Sequence, residues 1–305
     1  MNSSYTQISF PGLGIESINP PSSFNLFGFS VYFYGVIIAV GLMLAVWYGT
    51  KRSKRFGLKE DDIIDGVLFI VPFAVVCARL YYCIFKWDAF KDDPISILFI
   101  RDGGLAIYGG VIGAALGIIV FSKVKKVSLF AVLDLVAISF LIGQAIGRWG
   151  NFMNREAFGS ECTHFLRMGL FNEVTQQWEY HHPTFLYESL WNAVGFVLLH
   201  FFSKKRRYDG QMALCYVAWY GAGRAIIEGL RTDSLMLGDF RVSQLLAAGS
   251  CIIAVALLLW SWFRPHDPKN LFVNKVNQPA QVKEAVPESE PESDENIVEI
   301  IVKEQ

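Results

Sequence analysis

Seven runs of mostly apolar residues, separated by short polar connections, organise most of the chain: about 27–49, 63–85, 105–121, 129–147, 184–202, 211–230 and 242–263. A helix rises 1.5 Å per residue, so roughly 20 apolar residues cross the hydrocarbon core of a bilayer. The pattern predicts an all-α integral membrane protein with seven transmembrane helices, forming one membrane domain over residues 1–265. Between the fourth and fifth runs lies the longest connection, residues 148–183. At that length it is expected to fold as a small head of its own.

Composition supports the membrane reading: 53% of the residues are hydrophobic and the mean hydropathy is +0.35, too apolar for an ordinary soluble domain. The net charge of −1 is uninformative, because the charges are segregated by loop. Lys51, Arg52, Lys54, Arg55 and Lys59 fill the first connection; Lys123, Lys125 and Lys126 fill the third. Lys204, Lys205, Arg206 and Arg207 fill the fifth, and Arg264, Lys269 and Lys275 follow the seventh run. Short loops rich in Lys and Arg stay in the cytoplasm, which predicts an extracytoplasmic N-terminus and head and a cytoplasmic C-terminus. The opening MNSSYTQISF lacks the basic segment of a cleavable signal peptide, so the first apolar helix is expected to be retained. Residues 266–305, with the run PESEPESDEN, are too acidic to bury a core and read as a disordered cytoplasmic tail.

Charged residues near a bilayer cost roughly 2.5–3.5 kcal/mol each on insertion scales, so they mark internal cavities. Here they are Arg79, Asp134, Arg148, Glu188, Arg224 and Glu228. With the topology above, all but Asp134 fall near the outer leaflet. In the sixth run, YGAGRAIIEGLR places Tyr220, Arg224, Glu228 and Arg231 on one helical stripe roughly 80° wide. A guanidinium is a planar fork suited to phosphate oxygens, and a glutamate one turn away can hold it in orientation. An Arg–Glu pair that only locks helices together is the alternative. In RDGGLAIYGGVIGAALG (101–117), Gly109, Gly113 and Gly117 recur every four residues, a spacing for close helix packing. HHPTFLYES (181–189) brings His182, Tyr187 and Glu188 to the start of the fifth run, and GRWGNFMNREAFG (147–159) crowds Arg148, Asn151, Asn154 and Glu156 just after the fourth.

Several chemistries have no visible apparatus. HExxH, GxSxG, Walker and dinucleotide loops are absent, and the five cysteines (Cys77, Cys83, Cys162, Cys215, Cys251) form no CxxC pair. No metal, no cofactor and no nucleic-acid partner are therefore expected. A transporter for a small anion stays open, since intramembrane charges also mark transport paths, but the helices are not broken by Gly or Pro in two matching halves. An arginine cluster at the outer face suits an anionic phospholipid headgroup whose acyl chains remain in the bilayer.

GRWGNFMNREAFG resembles the signature of the bacterial prolipoprotein diacylglyceryl transferase family. SVYFYGVIIAVG (30–41), ARLYY (78–82), GGLAIYGGVIG (103–113), HPTFLYE (182–188) and YGAGRAIIEGLR (220–231) resemble its other blocks, in order, between about residues 24 and 263. The resemblance implies a multi-pass protein of the bacterial cytoplasmic membrane with its active site toward the outer leaflet. It also implies the activity: transfer of diacylglyceryl from phosphatidylglycerol to the lipobox cysteine thiol of a prolipoprotein signal peptide, releasing glycerol phosphate. By position it implies catalytic roles for Arg148, Arg224, Glu228 and Tyr108. Substrate contacts fall to Tyr34, Arg79, Asn151, Asn154, Glu156, Gly159 and Arg231. One departure matters: well-known members carry histidine where this chain has Tyr108. A phenol, whose unperturbed pKa is about 10, is a poor base at neutral pH, so the resemblance does not identify the group that activates the thiol.

Overall fold

The computed structural model describes residues 5–100, 103–232, 236–238 and 240–277. Seven long helices form the bundle: α1 (Phe33–Arg52), α2 (Glu60–Phe85), α3 (Ile107–Lys125), α4 (Leu129–Asn154), α5 (Thr184–Phe202), α6 (Gln211–Glu228) and α7 (Val242–Trp262). All but α6 are long and apolar enough to cross a membrane. Six of the seven expected spans thus meet the length and apolarity of a membrane crossing, and α6 does not meet them by composition alone. The reason lies in the sequence of α6, where Gln211, Tyr216, Tyr220, Arg224 and Glu228 dilute the apolar residues. That polar content is absorbed by neighbours, since α6 packs on α4, α5 and α7.

Local chemistry sets the helix limits. Ser128 Oγ accepts from Ala131 N–H at 3.3 Å and caps α4. At the start of α2 the Lys59 N–H donates to Asp62 Oδ2 at 3.0 Å, with Glu60 and Asp61 beside it in the positive first turn. The first turn of α6 is capped from another helix: fully buried Asp134 on α4 accepts from the backbone N–H groups of Gly210 and Ala213, each at 2.9 Å. That accounts for the one intramembrane charge that falls away from the others.

Helix α4 is the axis of the bundle, packing on α1, α3, α5 and α6, and it places Val132, Leu135, Ile138 and Leu141 at the centre of the core. The expected glycine packing is present between α2 and α3, where a Cβ on Gly113 would lie 2.5 Å from Cys77 Cβ. Between α5 and α6, Trp191 and Trp219 stack with centroids 4.5 Å apart, and each indole N–H donates to the other's carbonyl at 2.9 Å. This reciprocal pair fixes the register of the two helices. The basic connections gather at one end of the bundle, where Arg52 Nη2 donates to Ser203 Oγ and Arg206 Nη2 to the Arg55 carbonyl.

The other end carries a β-sheet, so the all-α expectation is also corrected. Strand β1 (Tyr5–Phe10) precedes β2 (Ile15–Ile18), the hairpin β3 (Ser23–Leu26) and β4 (Phe29–Tyr32), and α1. Strands β5 (Met168–Asn172) and β6 (Gln177–His181) lie between α4 and α5. They join β1 and β2 in an antiparallel sheet of order β2-β1-β5-β6. The expected head therefore exists, but half of it comes from the N-terminal segment. Ile8, Phe10, Met168 and Leu170 of the sheet bury against Phe185 of α5. A two-stranded ladder, β7 (Met236–Leu237) with β8 (Phe240–Arg241), precedes α7.

Part of the expected tail, residues 266–277, is described and holds a short 3-10 turn and helix α8 (Phe272–Asn277). Buried Leu271 and the Phe272 N–H, which donates to Asp209 Oδ2 at 2.7 Å, dock it on the basic end. The acidic remainder, 278–305, lies outside the described residues.

Candidate active site

The signature does not begin a loop, as the end of the apolar run suggests; α4 continues through it to Asn154. Arg148, Asn151 and Asn154 consequently stand on the last two turns of a rigid helix, at the sheet end of the bundle. Helix α5 starts at that end and α6 finishes there, so Glu188, Arg224 and Glu228 arrive from antiparallel neighbours.

Glu188 is the hub. Its Oε2 lies 2.5 Å from Arg148 Nη2, and its Oε1 lies 3.0 Å from Arg224 Nη1 and 3.6 Å from Arg231 Nη1. The other arm of the Arg224 fork, Nη2, lies 2.5 Å from Glu228 Oε2. Three elements are thereby tied through one carboxylate. Exposure divides the partners: the Glu188 and Glu228 side chains are 4% and 2% exposed, whereas Arg148 and Arg224 keep 22% and 18%. The carboxylates sit behind and the guanidinium groups stand in front, toward space that a ligand can reach. Buried carboxylates with hydrogen-bonding cationic partners lose less to desolvation than isolated ones, and they hold those partners in fixed orientation.

Arg231 reaches the hub by a route that the helical stripe did not foresee. Helix α6 ends at Glu228, and Arg231 follows in a turn closed by its own N–H on the Glu228 carbonyl, at 3.2 Å. Its backbone then bridges Gly159 of the signature. Gly159 N–H donates to the His182 carbonyl at 2.9 Å, and Ser160 N–H to the Leu230 carbonyl at 2.6 Å. Gly159 thus lies between the start of α5 and the end of α6. A Cβ there would stand 2.7 Å from His182 Cβ and 2.9 Å from the Leu230 oxygen. Only glycine permits this approach. Gly159→Ala should therefore push Arg231 away from Glu188 and lower transfer at least tenfold, as measured on purified protein that still elutes as a folded species.

A second layer adjoins Arg148. Its Nη1 donates to Asn151 Oδ1 at 3.3 Å, and Asn151 Nδ2 donates to Glu156 Oε1 at 3.0 Å. Asn154 Nδ2 reaches the same oxygen at 3.4 Å. The exposed carboxylate of Glu156 is thus held by two amides. Tyr34, at the start of α1, lies flat against Gly150 of α4; a Cβ on that glycine would come within 2.8 Å of the ring. Its ring thereby reaches the signature helix at Gly150, close in sequence to Arg148.

Two of the sequence-derived residues stand elsewhere. Arg79 is buried and gives its guanidinium to five backbone carbonyls, those of Ser96, Ile97, Phe99, Gly103 and Gly104, at 2.6–3.3 Å. It organises the α2–α3 connection and does not join the arginine cluster. Tyr108 lies in the first turn of α3, exposed, on a helix whose main partner is α2.

Two residues were missed. Arg155 sits inside the signature, is buried, and donates to the Thr6 carbonyl at 2.9 Å, to Asn19 Oδ1 at 2.6 Å and to the Pro20 carbonyl at 2.5 Å. It anchors the N-terminal strands to the end of α4. Glu188 was visible as an intramembrane charge at the expected depth, but nothing in linear order marks it as the point where three arginines meet.

Comparison with known proteins bears directly on this arrangement. The family model described as prolipoprotein diacylglyceryl transferase matches residues 21–260. A phosphatidylglycerol–prolipoprotein diacylglyceryl transferase of Bacillus cereus is 46% identical over 237 residues, covering 76% of this chain and 88% of that protein. Proteins of the same name from Bacillus cytotoxicus and Bacillus mycoides are 45% and 46% identical over the same coverage.

Proposed function

The chain belongs to the prolipoprotein diacylglyceryl transferase family, and we propose that it moves diacylglyceryl from phosphatidylglycerol to the lipobox cysteine thiol of a prolipoprotein, forming a thioether. Nothing in the family supports the small-anion transporter. The observation that carries the reading is Glu188 holding Arg148, Arg224 and Arg231 together while Arg148 and Arg224 stay partly open.

The reaction is a displacement at carbon. The thiol loses its proton, because thiolate is the nucleophile. Sulfur bonds to the glyceryl carbon that carries the phosphate ester, the carbon–oxygen bond breaks, and its electron pair leaves on glycerol phosphate. Charge therefore develops on a phosphate oxygen. Arg148 and Arg224, already oriented by buried carboxylates, stabilise that charge without reorganising, which is where fixed donors act most strongly. Asn151, Asn154 and Tyr34 orient the headgroup and the peptide backbone, and Glu156 holds the two amides in place. Tyr108, which stands on α3 apart from the cluster, is assigned a positioning role through its hydroxyl on the part of the substrate that extends toward that helix.

We place the bundle in the bacterial cytoplasmic membrane with seven crossings, α6 included, and with the sheet and the arginine cluster at the outer leaflet. The support is the gathering of the Lys- and Arg-rich connections at the opposite end. A reporter fused after Lys205 should read cytoplasmic and one inserted beside Cys162 extracytoplasmic; the reverse pattern would move the site to the wrong face.

The decisive experiment uses purified protein in detergent with phosphatidylglycerol and a lipobox peptide. The expected products are one diacylglyceryl thioether per peptide and one glycerol phosphate, with no product from a peptide carrying serine for the lipobox cysteine. Failure to form thioether with correctly folded protein would overturn the assignment.

A further inference from the structure

Outside the arginine cluster, the head brings His182 onto Cys162 and His164, from which it is well separated in linear order. Glu161 and His181 are antiparallel bridge partners, with Cys162 N–H donating to the Tyr180 carbonyl at 2.9 Å and His182 N–H to the Ser160 carbonyl at 3.0 Å. In this register Ser160 lies opposite His182. Alternate residues of an extended segment share a face, so Cys162 faces the same side as Ser160 and becomes a diagonal neighbour of His182. His164, two residues further on, returns to the same side. The result is a thiol and two imidazoles whose ligand atoms all lie within 4.8 Å of one another. His164 Nε2 and His182 Nδ1 are 3.0 Å apart. Tyr187 closes the group, its hydroxyl 2.8 Å from His164 Nε2 and 3.4 Å from His182 Nδ1.

We propose that Cys162, His164 and His182 form a binding site for a thiophilic transition-metal ion of the zinc(II) type, separate from the transfer reaction. The donor set is the one zinc selects: a sulfur and two imidazole nitrogens, with a fourth position left for water or the Tyr187 oxygen. Zinc–nitrogen bonds of about 2.0–2.1 Å at a tetrahedral angle put the two nitrogens roughly 3.3 Å apart, close to the observed separation. The sulfur has to close in by about 1 Å, within reach of a rotation about its own Cα–Cβ bond. Binding also changes two protons. The thiol releases its proton to water, because thiolate is the form that binds the ion. Leu166 N–H now donates to His164 Nδ1 at 3.0 Å, so the ring carries its proton on Nε2. An ion on Nε2 moves that proton to Nδ1 and turns the Leu166 amide to water. His182 offers its Nδ1 to the same point, 3.0 Å from His164 Nε2. A bound ion would clamp the segment that follows Gly159 to the start of α5.

The test uses full-length protein in detergent, stripped with chelator and titrated with cobalt(II), whose absorption reports its ligands. Wild type should show a thiolate-to-cobalt charge-transfer band that one equivalent of zinc(II) removes. Cys162→Ser should lose that band, whereas Cys77→Ser and Cys251→Ser should keep it. His164→Gln and His182→Gln should weaken cobalt affinity at least tenfold. Zinc should also slow maleimide labelling of Cys162 in wild type, a readout that needs no variant. Absence of the sulfur band in wild type, its survival in Cys162→Ser, or unprotected labelling would each overturn the site.

Discussion

Glu188→Gln should reduce transfer roughly tenfold to a hundredfold while leaving insertion and folding intact. Glutamine keeps the shape of the side chain, so the packing around α5 is preserved and only the hub changes. The loss follows from which atoms meet. Glu188 Oε2 faces Arg148, and Oε1 faces both Arg224 and Arg231. An amide replaces one of these oxygens with an N–H donor, and donors already occupy both sides. If nitrogen takes the Oε2 place, Arg148 is left facing a donor; in the other orientation, Arg224 and Arg231 are. Removing the counter-charge also leaves three guanidinium groups close together, with Glu228 paired to Arg224. Breaking a buried pair by removing one partner typically costs about 3–5 kcal/mol. Even half of that, lost from the orientation of groups that stabilise the leaving phosphate, gives a rate change of roughly tenfold to a hundredfold at about 1.4 kcal/mol per decade. The measurement is initial rate of thioether formation at saturating phosphatidylglycerol, with gel filtration to show that the variant is folded. A variant within threefold of wild type would remove Glu188 from the centre of the site.

The helices of this bundle are legible in the sequence because a bilayer imposes a crude rule. Each segment that crosses must satisfy its own backbone and present apolar side chains, and long apolar runs announce that. The same rule hid α6 as a distinct case. Its length and spacing read as a helix, but its composition is set by the site it carries, with Arg224 and Glu228 turned toward α4 and α5 and away from lipid. The sheet was not legible. YTQISF has no strong alternation, and Ile8 finds its partner Leu170 more than 160 residues away across four helices. Nothing local signals a pairing of that separation. Arg79 shows the opposite failure. A buried arginine at the right depth looks like part of an anion site, yet the nearby connection supplies enough carbonyls to use up the guanidinium. Charge and depth are readable from sequence, whereas the partner is a property of the fold. Cys162, His164 and His182 make the same point, since it is the β-bridge that brings the third member of the group to the other two.

Arg224→Lys should lower the transfer rate at least about tenfold without a matching loss of stability. The substitution conserves charge and most of the aliphatic stem, so a purely electrostatic role would survive it. What it removes is the fork. In the native site one planar group spans two carboxylates on different helices, Nη1 reaching Glu188 on α5 at 3.0 Å and Nη2 reaching Glu228 on α6 at 2.5 Å. A lysine ammonium is a single, strongly hydrated point that cannot occupy both nitrogen positions. It can pair with either glutamate, leaving the other buried carboxylate short of a partner and the face toward the substrate without its planar donor pair. The competing account makes Arg224 a bolt between α5 and α6. That account predicts a clear fall in thermal stability with transfer retained below the transition. The register of these two helices is already held by the reciprocal Trp191–Trp219 hydrogen bonds, which the substitution does not touch. Thermal denaturation and initial rates on the same purified variant therefore separate the two. A melting temperature within a few degrees of wild type together with a collapsed rate assigns Arg224 to the phosphate, whereas a lowered melting temperature with a normal rate returns it to packing.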